Sequence, residues 1–119
     1  SDTVVIVGSQ ILGKPSDEND ARNMLRLLSG TTHSVVTGCC LFLNGKSRSF
    51  AEETFVEFNK LSDKEIDDYI STREPFDKAG AYGIQGFGSL LVRRIDGDFF
   101  NVVGLPVSRL NREIKEFVG

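Results

Sequence analysis

The sequence of 119 residues has no tryptophan, one histidine, and only two cysteines, which are adjacent. A single histidine, His33, excludes a metal site built from several imidazoles, and we expect backbone groups at a strand edge to satisfy it. Adjacent cysteines rarely meet disulfide geometry and give no framework for a small secreted domain. We therefore expect Cys39 and Cys40 to be reduced and buried in a strand of a cytoplasmic protein.

Basic clusters and long apolar runs are also missing. The 14 Lys and Arg residues are interspersed with 17 Asp and Glu residues, which gives a net charge of −3. This pattern argues against nucleic acid as a partner, because proteins that bind it cluster their cations. No apolar run approaches the roughly 20 residues that span a bilayer, so no membrane partner is expected. The hydrophobic fraction of 39% is ordinary for a globular chain, and we expect a single domain over residues 1–119.

Hydrophobic periodicity predicts an α/β fold. The β-branched run from Thr3 to Val7 is typical of a strand buried on both faces, and Asn44-Gly45 predicts a hairpin. A helix capped by Ser16 or Asp17 follows the first strand, and hairpins join other strands, so we expect a mixed twisted sheet with flanking helices. The predicted strands lie near residues 3–7, 32–43, 50–58, 90–95 and 99–103, and the later helices follow Ser62 and Pro106.

The beginning of the chain is unusual. Ser1 leads directly into the first predicted strand, without an initiator methionine, a signal-peptide pattern or a polar lead-in. A natural chain seldom begins inside a core strand, so we expect a fragment of a longer protein.

The most informative local feature is the segment from Asp77 to Gly88, which we call the glycine-rich segment. Four of the nine residues from 80 to 88 are glycine, which allows backbone amides to approach a ligand closely. Lys78 supplies a charge suited to phosphate, and the amide of Gln85 offers a donor and an acceptor to a base edge. A tight structural loop between a helix and a strand explains the same composition.

Two further positions are candidates. Asp2 stands directly before the first strand, where its carboxylate can bind a divalent cation or position a water molecule. Lys14 lies in a constrained loop just before a helix N-terminus, a place that favours phosphate. A strand-initiating cap and an ordinary surface lysine are the alternatives. Neither residue decides the function alone.

Taken together, the motifs resemble the Maf family. The resemblance covers essentially the whole chain, and the ten-residue run from Asp77 to Gly86 is highly specific. The matching blocks are, in order, Asp2-Thr3-Val4-Val5, Leu12-Gly13-Lys14-Pro15, Leu28-Ser29-Gly30, Thr37-Gly38, Glu74-Pro75, Asp77-Lys78-Ala79-Gly80-Ala81-Tyr82-Gly83-Ile84-Gln85-Gly86 and Asn101-Val102-Val103-Gly104-Leu105-Pro106.

The resemblance implies an inosine-triphosphatase-like α/β architecture and cleavage of a nucleoside triphosphate to a monophosphate and pyrophosphate with Mg²⁺ or Mn²⁺. The glycine-rich segment is similar to that of members acting on dTTP and UTP. Position by position, Asp2 corresponds to the catalytic, metal-binding carboxylate, and Lys14 and Lys78 to basic residues of the phosphate cleft. Thr3 and Gln85 correspond to positions tied to base selection. The family also suggests a homodimer.

One departure keeps two alternatives open. The family begins with a strand and a Ser-x-Ser-Pro-Arg-Arg loop whose arginines meet the triphosphate, and neither precedes Ser1 here. We therefore expect the fold to be incomplete at the N-terminus, with an open sheet edge, and the 119 residues alone to be weakly active or inactive. The alternatives are a pyrophosphatase of the 7-methyl-GTP type and a non-catalytic nucleotide-binding module that regulates division, which the family links to septum formation.

Overall fold

The computed structural model describes residues 1–119 and shows a five-stranded sheet with four helices. This confirms the predicted α/β class with flanking helices. Three short 3₁₀ turns, Glu74–Asp77, Ala79–Ala81 and Gly86–Leu90, shape the chain between the second helix and the last strand. The strands are β1 (Asp2–Val7), β2 (Gln10–Leu12), β3 (Thr32–Leu43), β4 (Lys46–Phe58) and β5 (Val92–Asp96), and the helices are α1 (Glu18–Leu28), α2 (Asp63–Ser71), α3 (Phe99–Val103) and α4 (Val107–Val118).

The sheet has the strand order β2-β1-β3-β4-β5, and every neighbouring pair is antiparallel. The sequence led us to expect a mixed sheet, and the structure contains no parallel pair. The reason lies in β2, which returns the chain antiparallel beside β1 before α1 begins. β3 then enters on the other side of β1, so that Val5 pairs with Leu12 on one flank and with Val35 on the other.

The local signals in the sequence form the expected structures. Asn44 and Gly45 both adopt positive φ, 51° and 78°, and join β3 to β4 in the predicted hairpin. Asp17 caps α1 by accepting from the amide of Asp20 at 2.8 Å. Ser62 begins a complete capping box at the start of α2.

The helices cover only one face of the sheet. Alternate residues of β3 are buried on that covered face, namely His33, Val35, Thr37 and Cys39. Cys40 points to the other face and is exposed, so the expectation that both free cysteines are buried is wrong for Cys40. For the same reason β1 is not buried on both faces, and Val5 is its only fully buried residue. The core cluster between the covered face and the helices includes Leu25, Leu28, Val35, Val56, Phe58, Ile66 and Ile70.

The segment from Phe99 to Val103 was predicted as a strand and is instead the short helix α3. Asp98 caps it by accepting from the amide of Phe100 at 2.9 Å. Inside it, the fully buried side chain of Asn101 donates to the carbonyl oxygens of Val35 and Glu52 at 3.1 and 3.0 Å. These tertiary hydrogen bonds override the β propensity of the apolar run.

His33 lies in the core rather than at a strand edge. Its side chain is only 2% exposed, and its Nε2 is 2.6 Å from the hydroxyl oxygen of Tyr82. The rings of Phe58 and Tyr82 pack edge-on against the imidazole, with centroids 5.2 and 5.4 Å away. The prediction of a backbone partner is therefore wrong. The imidazole instead contacts the Tyr82 hydroxyl and helps to hold the Tyr82 side chain in place.

Acidification is expected to lower the free energy of unfolding by about 3 kcal/mol through His33 alone. Burial lowers the pKa of His33 from 6.5 to about 4 in the folded chain. Between these values the unfolded chain binds a proton that the folded chain does not. The contribution of His33 to the free energy of unfolding is therefore fully present above the pKa of the unfolded chain. It decreases as the pH falls and is lost below the pKa of the folded chain. Urea denaturation measured near neutral pH and at successively lower pH checks the expectation.

The matched variant is His33→Gln, which keeps a polar partner for the Tyr82 hydroxyl but does not titrate. Its unfolding free energy should change less with pH over the same range. An equally steep pH dependence in the variant would show that His33 is not the responsible group.

None of the four helices is long and apolar enough to cross a membrane.

Candidate functional site

A cleft of about 720 Å³ opens at the end of the sheet where β1 begins. Its walls are the start of β1, the loop after β2, the glycine-rich segment and the C-terminal end of α3. The structure brings all five candidate residues of the sequence to this one cleft. They are Asp2, Thr3, Lys14, Lys78 and Gln85.

A backbone hydrogen bond joins the two lysine-bearing loops. The amide of Gly80 donates to the carbonyl oxygen of Gly13 at 3.0 Å, next in sequence to Lys14. Lys78 Nζ lies 3.2 Å from Asp77 Oδ1. The pKa of Asp77 is lowered, mainly by this hydrogen bond and the charge of Lys78, and also by the charge of Lys14. Both ammonium groups thus act on the same small region, where an anionic ligand can replace Asp77 as their counter-ion.

Asp2 and Thr3 are placed by the pairing of β1 with β3. Asp2 is exposed at the mouth of the cleft, opposite Gly38. The hydroxyl oxygens of Thr3 and Thr37 are 2.9 Å apart, and Thr37 donates to the carbonyl oxygen of Asn101 at 3.3 Å. Thr3 therefore donates to Thr37 and presents its lone pairs to the cleft as an acceptor.

Gln85 is exposed on the glycine-rich segment, which folds back on itself around it. Gly88 packs directly against the backbone of Gly83. A Cβ added to Gly88 would lie 1.8 Å from the carbonyl oxygen of Gly83. Only glycine at position 88 permits this approach. Tyr82, held by His33, lines the cleft beside the segment.

The Lys78 side chain runs across Gly83 and occupies the space that a side chain at position 83 would take. A Cβ at Gly83 would lie 2.6 Å from Lys78 Cε and 2.8 Å from Lys78 Cδ. The segment that carries Gln85 therefore also directs the ammonium group of Lys78.

No cluster of three or more His, Cys, Asp or Glu side chains is arranged to hold a metal ion. In the cleft, Asp77 is engaged by Lys78, and Glu74 accepts hydrogen bonds from the glycine-rich segment. Asp2 is the remaining carboxylate of the cleft. A magnesium ion commonly uses one or two carboxylates and completes its shell with substrate phosphates and water. Asp2 fits such a site as a single protein ligand.

Sequence reasoning did not assign a role to Glu74 or Tyr69. Glu74 was noticed only as part of the matching block Glu74-Pro75. The hydrogen bonds of Glu74 and Tyr69 to the glycine-rich segment join residues 13 or 14 positions apart. No periodic pattern in a sequence signals such contacts.

A family model described as Maf-like protein matches residues 1–117. A dTTP/UTP pyrophosphatase of Bacillus cereus is 54% identical over 117 residues, which cover 98% of this chain and 61% of that protein. Another of the same name from Bacillus cereus is 55% identical with 98% and 58% coverage, and one from Bacillus thuringiensis subsp. konkukian is 54% identical with 98% and 61% coverage.

The chain thus spans about three-fifths of the length of these curated relatives. The family match extends over nearly all 119 residues and includes the segments that form the cleft. The chain belongs to the Maf family.

Proposed function

We propose that the protein is a nucleoside triphosphate pyrophosphatase that hydrolyses dTTP and UTP to the monophosphate and pyrophosphate. The observation that carries the proposal is the convergence of one carboxylate, two lysines and one exposed glutamine amide on a single cleft. The names of the Bacillus relatives, which are more than 50% identical, support the choice of substrate. The volume of about 720 Å³ suits a ligand of nucleotide size.

Cleavage between the α- and β-phosphates requires a positioned water molecule and neutralisation of charge on the phosphoryl oxygens. In the proposal, Asp2 orients the water molecule and accepts its proton, and Lys14 and Lys78 hold the phosphates. A bound Mg²⁺ or Mn²⁺, held by Asp2, would supply further charge neutralisation. Lys78 releases Asp77 when the triphosphate takes its place.

Base selection is assigned to Gln85 and Thr3. A glutamine amide can donate to O4 and accept from N3–H, the edge that thymine and uracil share. The acceptor lone pairs of Thr3 offer a further site for a donor on the substrate. Cytosine presents the opposite pattern, which the Gln85 amide can match only by rotating half a turn. An amide held in one orientation therefore leaves polar groups unpaired with cytosine, which lowers the affinity for cytosine.

The proposal also covers the domain organisation, the location and the partners of the protein. We place a single domain over residues 1–119, a cytoplasmic location in keeping with the two free cysteines, and a homodimer without nucleic-acid or membrane partners. The family's N-terminal arginine loop is proposed to complete the phosphate site. For this reason the 119 residues alone should turn over dTTP weakly or not at all.

The test is a nucleotide panel assayed for pyrophosphate release, with dTTP, UTP, dCTP, dGTP and 7-methyl-GTP. It is run on this chain and on the chain joined to the arginine-bearing segment of a Bacillus relative. Release from dTTP and UTP by the longer protein supports the proposal. Preference for 7-methyl-GTP points to the other Maf type, and nucleotide binding without release points to a non-catalytic module. Full activity of the 119 residues alone would refute the assignment of a necessary arginine loop.

Replacing Gly83 by Ala is expected to weaken dTTP binding about tenfold with little loss of stability. The new methyl group displaces the flexible Lys78 side chain rather than backbone. Titration with dTTP and with dTMP checks this, since the loss should be larger for the triphosphate. Lys78→Ala should give a similar loss, and Gly83→Ala should add little to it. Lys46→Ala, in the exposed hairpin outside the cleft, is the charge-matched control. Equal losses for dTTP and dTMP would contradict the assigned role of Lys78.

A further inference from the structure

The carboxylate of Glu74 is the hydrogen-bonding centre of the glycine-rich segment. It lies at the start of the first 3₁₀ turn, just after α2. Glu74 Oε1 accepts from the amide of Gly88 at 3.0 Å, and Glu74 Oε2 accepts from the amide of Phe87 at 3.1 Å. Both oxygens are therefore occupied by the segment itself.

Tyr69 extends this network to the middle of the segment. Its hydroxyl donates to Glu74 Oε1 at 2.8 Å and accepts from the amide of Gly83 at 3.0 Å. Burial is the main cause that raises the pKa of Tyr69, so the hydroxyl remains protonated at neutral pH and keeps donating to Glu74. One carboxylate thus fixes residue 83 indirectly, through Tyr69, and residues 87 and 88 directly.

Gln85 lies between the anchored amide of Gly83 and the anchored amides of Phe87 and Gly88. Glycines at positions 83, 86 and 88 give the backbone around it unusual freedom. Ordering one residue's backbone costs roughly 1–2 kcal/mol, so an unanchored segment would populate several conformations. A base-reading amide at position 85 can reach the edge of the base only if the backbone that carries it holds one position.

We propose that Glu74 is a positioning residue that holds the backbone of Gln85 where its amide can reach the base, acting through the anchored amides of residues 83, 87 and 88. The inference rests on the proposed function, because it assigns the basis of selectivity in the same cleft. Loss of the carboxylate should reduce base selectivity and leave the phosphate subsite of Lys14 and Lys78 intact.

Glu74→Gln is the informative change. Every partner of the carboxylate is a donor, namely the Tyr69 hydroxyl and the Phe87 and Gly88 amides. The NH₂ group of a glutamine has to face one of these donors, so at least one anchor is lost at nearly constant volume. Glu113→Gln is the matched control, because Glu113 is also a largely buried, bonded carboxylate but lies on α4 outside the cleft.

The first measurement is amide hydrogen exchange by NMR without nucleotide. In Glu74→Gln at least one of the amides of Gly83, Phe87 and Gly88 should exchange at least about tenfold faster, while amides of β3 and β4 keep their protection. Unchanged protection at the three amides would overturn the inference whatever the nucleotide does. Tyr69→Phe should accelerate exchange at Gly83 in the same way.

The second measurement is nucleotide affinity by NMR titration with dTTP, dCTP and inorganic triphosphate. Glu74→Gln should lower the preference for dTTP over dCTP about tenfold and leave the affinity for inorganic triphosphate within about twofold. In a Gln85→Ala background the same change should alter the preference little, because the amide it positions is gone. Glu113→Gln should preserve the preference.

The outcomes separate the two claims. If the unsubstituted chain shows no preference for dTTP over dCTP, the proposed function fails and the inference falls with it. If the unsubstituted chain discriminates and Glu74→Gln discriminates equally well, only the inference is overturned. Equal loss of dTTP and inorganic triphosphate binding would also overturn it, since that result indicates general disruption of the cleft.

Discussion

Asp2→Asn is expected to lower the turnover of dTTP by about 10²–10³-fold while nucleotide binding stays within a few-fold. The substitution keeps the size of the side chain and removes its charge and its capacity to accept a proton. Asp2 is exposed at the mouth of the cleft, so the change should not disturb the core. The measurement is pyrophosphate release and dTTP titration on the protein that carries the arginine-bearing segment.

Asp68→Asn provides the control for this prediction. Asp68 is an exposed carboxylate on α2 that pairs with Lys64 at 2.8 Å, and exposed pairs of this kind contribute little. The turnover of dTTP by Asp68→Asn should match that of the unsubstituted protein. If Asp2→Asn also retained full turnover, Asp2 would lose its catalytic role, and the cleft would need another base.

Gly88→Ala is expected to destabilise the chain by about 4 kcal/mol, more than ordinary overpacking, and to abolish the preference for dTTP. The added methyl group would lie 1.8 Å from a backbone carbonyl oxygen and 2.9 Å from the Tyr69 hydroxyl. Backbone cannot move aside as a flexible side chain can, so the glycine-rich segment has to open. Urea denaturation and dTTP titration check the two effects.

Gly38→Ala is the matched substitution. Gly38 lies in β3 without positive φ, and a Cβ there meets no atom within 4 Å. Alanine should therefore be neutral or slightly stabilising. A Gly88→Ala variant as stable as Gly38→Ala would contradict the close crossing of residues 83 and 88.

Much of the fold was predictable because local rules and final structure agree. Asn44-Gly45 could form the hairpin from its own φ preferences, and Ser62 with Glu65 could cap α2 without help from the rest of the chain. Thr54, Val56 and Phe58 alternate along β4 and are all buried, as the two-residue period of a strand requires. Each of these signals spans only a few residues, so sequence alone contains it.

The parts of the fold that were predicted wrongly depend on contacts between distant segments. The run 99–103 has the composition of a strand, yet Asn101 joins it to two strands through hydrogen bonds spanning 49 and 66 residues. On α4, the apolar residues Val107 and Ile114 are 50% and 42% exposed. Glu113 is buried there instead, between Arg48 and Arg109. Periodicity reports an apolar face but not whether a partner covers it.

The candidate site shows the same difference between local sequence signals and contacts between distant segments. The five residues Asp2, Thr3, Lys14, Lys78 and Gln85 came from motifs, and the structure gathers them in one cleft. The residues that organise the cleft were not found from sequence, because their role depends on geometry. Glu74 and Tyr69 hold the glycine-rich segment, and Thr37 sets the polarity of the Thr3 hydroxyl. Their roles, like those of the five, remain predictions until variants are measured.

The most direct test is a crystal structure with Mg²⁺ and a dTTP analogue whose α,β-bridging oxygen is replaced by an imido group. The expected result places the triphosphate between Lys14 and Lys78, with Asp2 near the α-phosphate and the Gln85 amide against O4 and N3 of thymine. A nucleotide bound elsewhere, or one in the cleft with its base turned away from Gln85, would contradict the account.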